Sequence, residues 1–126
     1  MEKSHYDRAG RPEAVEVKLR RADQVLEVAY ADGRRFAFPA ELLRVESPSA
    51  EVQGHGPGQR VYVAGKRHVA ITGIDPVGSY AVRLRFDDGH DTGLYSWEYF
   101  YGLGLDQEKT WADYLKAIEA RGLSRG

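Results

Sequence analysis

Val82-Arg83-Leu84-Arg85-Phe86-Asp87-Asp88-Gly89-His90 is the stretch that decides the fold. Val82, Leu84 and Phe86 alternate with Arg83 and Arg85, the period-two pattern of a strand with one buried face. Asp88-Gly89 supplies two residues that tolerate positive φ and so marks a tight turn. Beyond it a short strand runs to Leu94, and Ser96 caps a helix through Tyr101 to about Leu103. The same grammar stands 56 residues earlier, where Leu26, Val28, Tyr30, Asp32 and Gly33 correspond to Val82, Leu84, Phe86, Asp88 and Gly89. There the strand Gln24–Tyr30 turns into Arg34–Phe38. Pro39 suits a first helical position, and Ala40–Arg44 forms a short helical turn. The chain reads as two strand–turn–strand–helix units, arising from duplication or from the grammar that all hairpins share.

Outward from these units, Val15, Val17 and Leu19 alternate with charged residues and predict another strand. His68–Asp75 predicts a further one, turned by Pro76-Val77-Gly78. Between the units, Ser47–Gly65 carries four glycines and two prolines, a long loop of the kind that serves function or moves. Residues 1–13 are polar and read as a flexible arm. Near the other end, Thr110 and Asp113 have capping-box-like spacing, and Trp111, Tyr114, Leu115 and Ile118 form an apolar helical stripe that Gly122 stops. That stripe needs a surface, and one face of the sheet is the expected one. The fold class is therefore α+β: a largely antiparallel sheet of two strand–turn–strand–helix units, short helices and a C-terminal amphipathic helix, in a single domain over residues 14–126.

A chain of 126 residues and 14.1 kDa accommodates one core. Eighteen basic and nineteen acidic residues balance to −1, evenly along the chain, which argues against nucleic acid or membrane as partner. Mean hydropathy is −0.54, and no apolar run approaches the ~18–20 residues of a membrane span. A polar start that does not resemble a signal peptide makes the cytoplasm the expected compartment. The absence of cysteine excludes disulfides, a cysteine nucleophile and thiolate metal sites.

Few constellations carry chemistry. His5-Tyr6-Asp7 has the spacing of part of a two-histidine, one-carboxylate iron site, but no preceding sequence could build its supporting strand. Gly54-His55-Gly56-Pro57-Gly58, with Arg60 nearby, suggests an anion-binding loop; against this, Pro57 removes a donor and no helix pattern follows. Tyr95-Ser96-Trp97-Glu98-Tyr99-Phe100-Tyr101 concentrates five of the fourteen aromatics, most of them expected in the core, with a surplus ring such as Tyr95, Trp97 or Tyr99 free to anchor a partner. His90 follows the second turn. No nucleophile elbow or singled-out carboxylate pair suggests catalysis, and no cofactor is expected.

Leu43-Arg44, Ser47-Pro48-Ser49-Ala50-Glu51-Val52, Gly54-His55-Gly56-Pro57-Gly58-Gln59 and Asp88-Gly89-His90-Asp91-Thr92-Gly93-Leu94-Tyr95-Ser96-Trp97 together resemble the gamma-butyrobetaine hydroxylase-like N-terminal domain family. The likeness spans roughly residues 15–104 and is strongest to small bacterial stand-alone members. The family also precedes iron- and 2-oxoglutarate-dependent oxygenase barrels and is fused to P-loop ATPases that handle iron–sulfur clusters. In the oxygenases the resemblance implies an accessory unit with a structural zinc held by three cysteines and a histidine. Those cysteine positions fall here at Ser47, Ser49 and Val52, and the histidine at His90. Serine is not deprotonated near neutral pH and valine has no donor atom, so no metal is expected; hydrogen bonds among His90, Ser47 and Ser49 should replace it.

These readings lead to a non-catalytic adaptor for an unidentified protein partner, linked by family analogy to iron–sulfur or redox-enzyme maturation. Its expected surfaces are the Gly54–Gly58 loop and exposed members of the aromatic cluster. The alternatives are a small-molecule or anion-binding domain using Gly54, His55, Gly56, Gly58 and Arg60, and an oxygenase-associated domain acting in trans.

Overall fold

Two turns organise the chain in the computed structural model, which describes residues 12–56 and 58–126. At the first, the Tyr30 amide donates to the Arg34 carbonyl (2.8 Å), the Gly33 amide to the Tyr30 carbonyl (3.0 Å), and the Arg34 amide to Asp32 Oδ1 (2.8 Å). At the second, the Phe86 amide donates to the His90 carbonyl (3.0 Å), the Gly89 amide to the Phe86 carbonyl (3.1 Å), and the His90 amide to Asp88 Oδ1 (3.0 Å). Gly33 and Gly89 hold φ of 92° and 90°, which only glycine adopts without strain.

Strands β1 (Ala14–Arg20), β2 (Val25–Tyr30) and β3 (Arg35–Pro39) form one antiparallel sheet in that order. Strands β4 (Ile71–Val77), β5 (Ala81–Phe86) and β6 (Leu94–Ser96) form the second. Each sheet hands its last strand to a helix: α1 (Ala40–Val45) after β3, α3 (Trp97–Leu105) after β6. Helix α2 (Ala50–Gln53) lies between the halves, and α4 (Gln107–Ala120) follows α3.

The likeness of the halves extends past the hairpins. The Ala31 amide donates to the Glu13 carbonyl as that of Asp87 does to Ala70, and the Ala40 amide donates to Gln24 as that of Trp97 does to Tyr80. Both first strands carry a register shift, at Ala14/Glu16 and at Ile71/Gly73. Shared hairpin grammar does not require these long-range bonds; the two units are structural repeats.

Leu26, Val28 and Tyr30 join Val82, Leu84 and Phe86 in one core cluster. Phe38, Phe100 and Tyr95 stack through it, with centroids 5.5 and 5.4 Å apart.

Several details differ from the sequence reading: β4 starts at Ile71 rather than His68, and α2 interrupts the expected Ser47–Gly65 loop. Pro39 is the cap of α1 rather than its first helical residue. Pro76 and Val77 lie within β4, where an edge strand tolerates a missing N–H, and Gly78 (φ 53°) makes the turn. Helix α4 begins at Gln107, a turn before Thr110, whose amide donates to the Asp106 carbonyl (2.9 Å). Its stripe does not lie on a sheet face: Tyr114 and Ile118 pack with Val45 and Tyr62 at the end of α1, because the sheets already bury their apolar faces in the shared core. Residues 1–11 of the expected arm, with the His5-Tyr6-Asp7 motif, lie outside the described residues; of its last two, Glu13 accepts from the Ala31 amide. No helix among the described residues is long and apolar enough to cross a membrane.

Candidate functional site

Where α1 ends, the chain enters Ser47-Pro48-Ser49, and the second turn brings His90 against it. Ser49 occupies the cap position of α2 but makes no side-chain cap bond, leaving its hydroxyl to face inward. Ser47 Oγ lies 2.9 Å from His90 Nε2, Ser49 Oγ lies 3.3 Å from the same nitrogen, and the two hydroxyl oxygens are 3.2 Å apart. On the other side of the ring, Nδ1 faces Glu51 Oε2 at 3.4 Å. Placing the proton on Nδ1, toward the carboxylate, makes Nε2 an acceptor for the Ser47 hydroxyl. Thr92 Oγ1 donates to the other oxygen of Glu51 at 2.6 Å.

All three central residues are buried, Ser47 completely. Gly93 makes their approach possible, since a Cβ there would stand 2.5 Å from Ser47 Oγ and 3.1 Å from the Tyr95 ring. Burial, and secondarily the Arg44 charge, lower the His90 pKa and keep the imidazole neutral against the pull of Glu51 and Asp88. Burial alone would raise the Asp88 carboxyl, but bonds from Lys66, the His90 amide and Arg44 override it and hold it well below the usual carboxylate range. Lys66 Nζ and Arg44 Nε reach the same Asp88 oxygen at 2.6 and 2.7 Å, fixing the turn that carries His90.

These residues do not fit a zinc ion. Ser47 and Ser49 present hydroxyls, buried Val52 presents no donor, and His90 is the single nitrogen ligand of the set. No group of three or more His, Asp or Glu side chains placed to hold a metal occurs among the described residues.

The other expected site residues separate. Tyr95 has no exposed surface and donates its hydroxyl to the Leu43 carbonyl at 2.5 Å; it is a core residue and offers no partner contact. Trp97 and Tyr99 are half-buried, with Nε1 of Trp97 donating to the Ser79 carbonyl and the Tyr99 hydroxyl to that of Glu46. Burial pushes the Tyr99 hydroxyl pKa up to about 12, so it remains a donor. In the glycine loop the amides turn inward: Gly54 donates to the Ala50 carbonyl and His55 to Gln59 Oε1. A Cβ on Gly54 would collide with the Gln59 carbonyl at 2.4 Å, so this glycine closes the loop on itself. Gly56 is half-buried, while His55 and Gly58 are exposed. Arg60 is committed elsewhere, pairing with Glu46 at 2.6 Å and stacking over Tyr62 at 4.5 Å.

Sequence reasoning missed Glu51, Thr92 and the Arg44–Asp88–Lys66 cluster. Ser47 and His90 are 43 residues apart, and no periodicity joins them.

The sequence matches the family model described as gamma-butyrobetaine hydroxylase-like, N-terminal, over residues 17–101. Two proteins solved by NMR in solution are similar along nearly their whole length. One is 46% identical with TM-score 0.80, over 97% of this chain and 91% of that one. The other is 44% identical with TM-score 0.78, over 90% of each. A crystal structure from Acidithiobacillus ferrooxidans, of a protein with unknown function in the DUF971 family, is 39% identical with TM-score 0.61, over 73% of this chain and 92% of that one. No curated protein matches the chain.

Proposed function

The chain belongs to the gamma-butyrobetaine hydroxylase-like, N-terminal family, and from that premise we propose that it is a non-catalytic accessory domain that recognises a protein partner. The burial of Ser47 carries this reading. Hydroxyl, imidazole and carboxylate in sequence are the parts of a nucleophile–base relay. Here the hydroxyl has no exposed surface, and Gly93 and Tyr95 pack against it. The relay's parts serve instead as a cross-link between the repeats, joining the segment after α1 to the turn after β5. They take over, by hydrogen bonds, the joining that a metal performs in relatives with cysteines at these positions. An anion-binding loop is the weaker reading, because the Gly54 and His55 amides and Arg60 already have partners.

Iron–sulfur or redox-enzyme maturation is the partner context that family analogy supplies, and a cytoplasmic location accords with it. Affinity purification from the native host tests the proposal, using the full chain and its His55→Ala, Trp97→Ala and Trp111→Ala variants. The expected result is a stoichiometric partner retained by the wild type and lost with one variant. Ester hydrolysis that disappears in Ser47→Ala would overturn the non-catalytic reading, and the absence of any stoichiometric partner would overturn the adaptor.

A further inference from the structure

A groove of about 490 Å³ runs between the β3–α1 junction and the start of α4, walled by Pro39, Leu42 and Trp111. It already contains a guanidinium site. Arg125 donates from Nε to Glu41 Oε2 at 2.9 Å and from Nη2 to Oε1 at 2.7 Å, while its guanidinium carbon stands 5.4 Å from the Trp111 ring centre. The Glu41 side chain is only 7% exposed. A buried carboxylate gripping both prongs of a fork beside an aromatic wall is the chemistry that selects arginine over lysine.

The segment carrying Arg125 follows α4 directly. It leaves α4 at Gly122 (φ 69°), and its backbone is tied by Leu123 to the Ile118 carbonyl and by the amides of Gly65 and Arg67 to the carbonyls of Ser124 and Arg125. Leu123 is exposed. Beside the seated arginine the groove keeps open volume, and its rim carries Gln107 and Glu108, whose side chains make no hydrogen bond or ion pair among the described residues.

We propose that this groove docks an arginine-bearing segment of a partner protein, and that Arg125 holds it shut in cis. The inference rests on the partner-recognition reading and adds its surface and chemistry. Two observations select the occupant. The seated Arg125 shows that one arginine side chain fits, and the carboxylates of Glu41 and Glu108, with Pro39 and Leu42 in the same lining, complement a basic side chain with an apolar stem.

The probe is the peptide acetyl-Leu-Ser-Arg-Gly-amide, followed by NMR at the Trp111 indole N–H in the full chain. Arg125→Gln is expected to bind it at least tenfold more tightly than wild type. Glu41→Gln combined with Arg125→Gln is expected to lose the gain, and a peptide with glutamine for arginine should leave Trp111 unmoved. A folded Arg125→Gln protein with no gain overturns the proposal, as does equal binding of the two peptides or survival of the gain in the double variant. Should Arg125→Gln not fold, Arg125→Lys, which keeps the charge and loses the fork, should show the gain; its absence in the folded protein is equally contrary. Partner capture by the full chain without peptide binding would remove the groove and leave the adaptor reading standing.

Discussion

The Ser47 hydroxyl lies 2.9 Å from His90 Nε2, and this bond ties the end of the first repeat to the turn of the second. It is a neutral contact in a buried place, where losing one partner leaves the other unsatisfied at a cost of about 1–3 kcal/mol. The cluster therefore acts on stability, and its consequences are measurable.

Glycines on α3 and just before β6 test the packing of the repeats. A Cβ on Gly104 would stand 2.4 Å from the Phe36 ring, and one on Gly93 2.5 Å from Ser47 Oγ, whereas one on Gly102 meets nothing within 4 Å. Gly104→Ala and Gly93→Ala are expected to destabilise by about 1–3 kcal/mol. Gly102→Ala, two residues from Gly104 on the same helix, should stabilise by about 0.5–1 kcal/mol. Urea unfolding of the three variants gives the comparison.

Stability should also depend on pH through His90. Its folded pKa is lowered from 6.5, first by burial and then by Arg44, against the carboxylates of Glu51 and Asp88. The unfolded chain thus binds the proton more readily, so the contribution is complete above about pH 6.5 and is lost as pH falls toward the lower folded value. Between pH 7 and 5 the wild-type urea midpoint should fall more than that of His90→Phe. The lowered carboxylates lose their contribution only below their ordinary values, 4.5 for Glu51 and 3.8 for Asp88, outside this window. Equal slopes would remove His90 as the titrating group.

Thiolates placed at the three positions should create a metal site. The triple variant Ser47→Cys, Ser49→Cys, Val52→Cys adds three soft donors to His90 and is expected to retain one equivalent of zinc through dialysis. The wild type should retain none. Metal content measured by atomic emission decides it; a zinc-free, folded triple variant would show that these positions do not converge.

Much of the fold was legible because its signals are local. Asp32-Gly33 and Asp88-Gly89 announce their turns, and the alternation of Leu26–Tyr30 and Val82–Phe86 marks the buried faces. Signals failed where tertiary context overrode them. Pro76 looks like a turn residue until β4 proves to be an edge strand, and α2 is too short for any period to reveal. The first turn of α4, Gln107-Glu108-Lys109, is polar, so its apolar stripe begins late. Of the candidate site, family resemblance singled out Ser47, Ser49 and His90. Glu51, Thr92 and the pairing of Glu41 with Arg125, 84 residues away, carry no local pattern.

The most direct test of the cross-link is a double-mutant cycle of Ser47→Ala and His90→Phe by urea unfolding. A hydrogen bond joining the repeats predicts a coupling of about 1–2 kcal/mol, with the double variant less destabilised than the sum of the singles. Additivity within about 0.5 kcal/mol would contradict it.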